Sequence, residues 1–196
     1  TVMTLVLIEG LNVKCFAAGV GCVGGVLVAG ALELLLRDQI KMSGVLDSEW
    51  LYLYNLRKDN PIDLKAIIFA MIIVGAVGAV MDVAMSIASS LCEINEKSPD
   101  LPARELLKSG LTIGRDIMGT MANTLVLAYI GSALCCMLLM VTYSSNVSQI
   151  LNREQIAVEI LQALAGSIGI LAALPLTAIT SVLCLKPLNR IKRSVH

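Results

Sequence analysis

Residues 66–92 read AIIFAMIIVGAVGAVMDVAMSIASSLC. This stretch is 27 residues long and carries one charge, Asp82. About 20 apolar residues cross the hydrocarbon core of a bilayer. A segment of this length and composition is therefore expected to be a membrane-spanning helix. Backbone polar groups in lipid must be satisfied within the segment, which leaves helices or closed barrels. The short alternating strands of a barrel are absent.

Three more segments share this character. Cys15–Leu36 is apolar apart from Glu33, Ile117–Asn152 has no charge, and neither does Ile160–Leu185. The run 117–152 leaves room for an outer turn at Ser144–Ser148 after a span. Thr1–Leu11 looks like the end of a helix already under way, so we expect a fragment of a longer chain. Residues 1–196 are expected to form a single transmembrane helical domain: an all-α polytopic bundle of about four spans plus an N-terminal stub.

Composition agrees. The chain is 57% hydrophobic with 15% charged residues, against about 25% in soluble domains, and its mean hydropathy is +0.81. The charges collect in the connections. Arg37–Lys65 holds Trp50, Tyr52 and Tyr54, which suit a water–lipid boundary. In Glu93–Asp116, Pro102 and the leucines at 101, 106 and 107 predict a short amphipathic helix lying on the cytoplasmic surface. If the tail with Lys186, Arg190, Lys192 and Arg193 is cytoplasmic, then so are Lys14 and 93–116. That side then holds nine of the 15 basic residues, the bias expected of the inside.

Several function classes lose their raw material. Fifteen basic and 15 acidic residues leave no cationic field for nucleic acid. The lone histidine is His196, and no CxxC pair occurs among the six cysteines, so no metal site, cofactor or enzyme is expected. The expected partners are the lipid bilayer and either another membrane subunit or a second copy of the chain.

Asp82 is the first candidate for chemistry. A carboxylate near mid-span costs roughly 3 kcal/mol on insertion scales, and burial can raise its pKa towards neutrality, where it can load and release protons. Helical spacing puts Ser86, Ser89 and Glu93 on its face. On the next span Asp116, Thr120, Asn123 and Thr124 lie at i, i+4, i+7 and i+8. Counting from the inner helix ends sets Asp82 and Asn123 at similar depth, so an Asp82–Asn123 or Asp82–Thr120 contact is expected. Such a layer serves either as a proton or ion relay or as ordinary interhelical hydrogen bonding. Gly21, Gly25, Gly75, Gly78, Gly166 and Gly169 are expected at helix contacts.

The stretches 75–91 and 109–129, with Gly166–Gly169 and Leu174–Thr177, resemble the YibE/F family of bacterial membrane proteins. The resemblance implies a multi-pass protein of the cytoplasmic membrane and an N-terminal extracytoplasmic portion outside this chain. More remotely, the chain is similar to the transmembrane half of resistance–nodulation–division permeases and related protein-translocation partners. There a glycine-rich helix with a central aspartate is followed by an amphipathic cytoplasmic helix and a hydroxyl-bearing helix. This likeness implies proton coupling through Asp82. Only one helix set is present here, and no large outer domain.

Three readings follow: a proton- or ion-coupled permease or export accessory, a noncatalytic scaffold or accessory subunit, and an intramembrane aspartyl enzyme. The last needs two acids together, whereas the inner-boundary position of Asp116 sets it about 10 Å from Asp82 in depth.

Overall fold

The computed structural model describes residues 13–40, 46, 50, 63–143, 148 and 153–194. Four helices account for nearly all of them: α1 Val13–Ile40, α2 Leu64–Lys97, α3 Ala103–Tyr143 and α4 Glu154–Ser194. All four are long and apolar enough to cross a membrane. The stub at 1–11, Tyr52, Tyr54 and the turn at 144–147 lie outside the described residues.

Local chemistry sets the helix ends. Asp63 caps α2, its Oδ1 accepting from the backbone N–H of Lys65 at 3.0 Å and of Ala66 at 3.2 Å. At the other end the Ser98 N–H bonds the Ile94 carbonyl, and Pro99 follows where the helix stops. The Pro102 carbonyl then accepts the first bonds of α3, from Glu105 and Leu106.

The expected short amphipathic helix is not a separate element. Residues 103–110 are the opening turns of α3, which runs unbroken for 41 residues. Two glycines explain this. A Cβ at Gly110 would fall 2.8 Å from the Leu91 side chain, and one at Gly114 would fall 2.7 Å from Leu174. The segment thus docks on α2 and α4 instead of lying flat, and Leu106 is fully buried there. At about 1.5 Å per residue the helix is about 60 Å long, roughly twice the hydrocarbon thickness, so its charged beginning can stand outside the membrane.

The chain runs up and down, and α4 is the hub. It packs against each of the other three helices, while α1 and α3 flank the α2–α4 pair. One core cluster at the 93–102 end joins Ile87 and Leu91 to Leu106, Ile170 and Leu174. A second at the opposite end joins Ile68 and Ile72 to Val158 and Leu161, with Leu46 and Trp50 against it.

Between the clusters the backbones of α1 and α4 meet, with a side chain of α2 against them. A Cβ on Gly25 would sit 2.7 Å from the Gly169 carbonyl oxygen and 2.8 Å from Val80 Cγ1. Nearby, a Cβ on Gly21 would collide with Thr177 Oγ1. The Thr180 hydroxyl, 2.8 Å from the Leu176 carbonyl of its own helix, also reaches the Ala17 carbonyl of α1 at 3.3 Å. With few large side chains at the crossing, attraction there comes from close backbone packing.

Candidate functional site

Asp82 occupies the middle of α2 but not the core. The buried side of α2 runs through Ile72, Ala76, Val80, Val83 and Ile87. Asp82 faces away from it and is exposed on the outside of the bundle, as are Val74 and Gly78. Ser86 and Ser89 are half-buried at its flank, and Glu93 is exposed at the helix end, where Lys97 pairs with it at 2.7 Å.

The polar row of α3 also looks outward. Asp116, Thr120, Asn123 and Thr124 are all exposed. The register between the two helices follows from three contacts: Leu91 with Gly110, Ile87 with Gly114, and Gly75 with Tyr129. These bring Asp82 level with Gly119 and Thr120, with Asp116 about 6 Å lower along the axis by helical rise. Level is not contact, however. Among the described residues no hydrogen bond joins Asp82 to Thr120 or Asn123. The hydroxyls turn to their own helices instead: Ser86 donates to the Asp82 carbonyl at 2.8 Å, Thr120 to Ile117 at 2.8 Å and Thr124 to Thr120 at 2.9 Å. Each keeps lone pairs free for a donor arriving from outside.

Of the six glycines expected at contacts, five meet neighbours. Gly21, Gly25 and Gly169 build the α1–α4 crossing. Gly166 abuts Leu125, and Gly75 lies against the Tyr129 hydroxyl and the Gln162 amide. Gly78 departs from the expectation. It shares the outward face of Asp82, and a Cβ there would meet nothing within 4 Å.

The acids nearer the interior are ones that sequence reasoning passed over. Glu33 on α1 is completely buried, in the turn between Ala29 and Leu36, both of which pack on the second core cluster. It was the single charge of its apolar run, the same signal that selected Asp82. Glu159 lies in the second turn of α4. The sequence reading began the last apolar run at Ile160 and so left Glu159 in a connection, but the helix starts at Glu154. It lines a groove of about 330 Å³ between α3 and α4. Tyr129 lines the same groove and hydrogen-bonds Gln162.

Among the described residues no three His, Cys, Asp or Glu side chains come together as a metal site. At the 93–102 end, the Lys186 ammonium of α4 donates to the Leu101 carbonyl in the α2–α3 connection. The start of the basic tail and that connection therefore share one side of the membrane.

No curated protein and no solved structure matches the chain. A match to the family described as YibE/F-like protein extends over residues 1–187. It covers all four spanning helices, Asp82 and the outward polar row of α3, and on this evidence the chain belongs to the YibE/F-like family of multi-pass membrane proteins.

Proposed function

We propose that this chain is the helical part of a permease-type protein of the bacterial cytoplasmic membrane, with its C-terminus inside, in which Asp82 exchanges a proton or small cation. One observation carries the reading. A carboxyl group stands at mid-span, outside the core, with no hydrogen bond to a neighbouring helix among the described residues. An acid kept as interhelical glue would be bonded across a helix pair. An acid left on the outer face is tolerable when it is protonated, solvated in a cavity, or met by a partner. Thr120, level with it, and Thr124 and Asn123 within the next turn offer neutral groups that suit either protonation state. The order of a glycine-rich helix with a central aspartate followed by a hydroxyl-bearing helix, the part of the permease plan this chain keeps, supports the reading.

The alternative is a noncatalytic scaffold or accessory subunit, in which the face of Asp82 docks on another membrane subunit or a second copy. Aspartyl chemistry is disfavoured, because Asp82 and Asp116 lie about a turn apart in level and share no hydrogen bond, whereas such a dyad needs its carboxyls within about 3 Å.

Proton flux separates these readings. Full-length protein is reconstituted into vesicles with a pH-sensitive dye, and Asp82→Asn is compared with wild type. Loss of flux in a folded variant supports coupling. Wild-type flux in the variant removes Asp82 from the mechanism, and absence of flux from both favours the scaffold.

A further inference from the structure

The groove between α3 and α4 carries a second chemistry, independent of any role for Asp82. Its walls are apolar, with Val126 and Ile130 on one side and Ala163 and Leu164 on the other. Its size falls within the range of small-molecule sites, about 300–1,000 Å³. Three polar side chains face it: Tyr129, Glu159 and Ser167. None of them carries positive charge. Ser167 spends its proton on the Ala163 carbonyl at 2.8 Å, which leaves it an acceptor. The Tyr129 oxygen accepts from the Gln162 amide. Glu159 Oε2 is buried with no hydrogen-bond partner among the described residues. No lysine, arginine or histidine lines the groove.

We infer that this groove binds a lipophilic organic cation, an ammonium-type head on an apolar body. A hydrocarbon chain alone would fill the walls but leave Glu159 Oε2 without a donor, which is unfavourable for a buried acceptor. An anion would meet a carboxylate and no basic group. A metal ion would find a single carboxylate in the lining, too few ligands for a site. A cation with an apolar body satisfies both parts. Its head meets Glu159 in a charge-assisted hydrogen bond, with the Tyr129 ring as a second group that favours positive charge. Its body takes the place of lipid between α3 and α4.

The test uses the whole protein in zwitterionic lipid nanodiscs and two photoreactive probes, a diazirine-bearing alkylammonium and the alcohol of the same chain length. Labelled residues are mapped by mass spectrometry. The ammonium probe is expected to label the α3 and α4 walls at least tenfold more than the alcohol. Glu159→Gln should remove that preference while the alcohol signal stays as it was. Ala163→Phe keeps the carboxylate and fills the space, so it should abolish ammonium labelling of the walls. Asp82→Asn should change none of this. Equal labelling by the two probes in wild type would overturn the inference and leave a lipid-filled groove. So would ammonium labelling that survives Ala163→Phe or that falls outside the groove. If Glu159→Gln loses both probes equally, the carboxylate shapes the groove and does not recognise charge, which also overturns it.

Discussion

Gly25 of α1 and Gly169 of α4 are in direct backbone contact, close enough that a Cβ on Gly25 would lie 2.7 Å from the Gly169 carbonyl oxygen. Val80 of α2 closes the same point. The relationship fixes the distance between two helices and the position of a third.

Gly25→Leu should therefore be disruptive beyond its volume, since its first added carbon meets backbone, which cannot rotate away. Overpacking usually costs about 1–3 kcal/mol, and we expect the upper part of that range or more. Gly78→Leu, with open space around it, should cost less than about 1 kcal/mol. Thermal unfolding of the two variants in one detergent measures the contrast. Equal loss in both would show that the crossing is not as tight as described.

The α2–α3 register predicts an order of cross-linking. With cysteines introduced in a background free of the native ones, Asp82→Cys with Thr120→Cys should cross-link through a short reagent faster than Asp82→Cys with Asp116→Cys. The reverse order would shift the register by about a turn, and with it the level assigned to the polar row.

Lys186 ties α4 to the α2–α3 connection through the Leu101 carbonyl. Lys186→Met removes the charged donor and keeps most of the stem. About 1 kcal/mol of local stability should go with it, read as faster amide exchange confined to the residues around 98–102. Unchanged exchange there would mean the contact contributes nothing.

Orientation can be read with thiol labelling from outside intact cells. A cysteine placed in 41–62 should react with an impermeant reagent, and one at 104–108 should not. The basic bias towards 93–116 and the tail motivates this assignment, and labelling in the opposite sense would invert it.

How far the sequence disclosed this molecule depends on the residue. The spans were legible because apolar length is a direct measure of hydrocarbon thickness, and the stripe Gly21, Gly25 and Gly169 was legible because small residues mark close helices. The amphipathic segment at 101–110 was misjudged as a separate element. Its leucines fit a surface helix equally well, and only the seating of Leu91 and Leu174 over Gly110 and Gly114 reveals a docked one. Asp82 was placed correctly along α2, but its direction was not legible, since periodicity assigns residues to a common face without saying which face meets a neighbour. Glu159 escaped because hydropathy locates the edge of a span by its charges, so a charge inside the edge redraws the edge itself.

The hub position of α4 bears on how the protein is made. Helices enter the bilayer in the order of synthesis, and α1, α2 and α3 precede the helix on which all of them pack. Both core clusters draw on α4 residues, Ile170 and Leu174 in one, Val158 and Leu161 in the other. Until α4 is made, the Gly25–Gly169 crossing cannot close and both core clusters lack their α4 side. A nonsense mutation before residue 154 should accordingly yield rapid turnover of the nascent product, not a stable three-helix remnant.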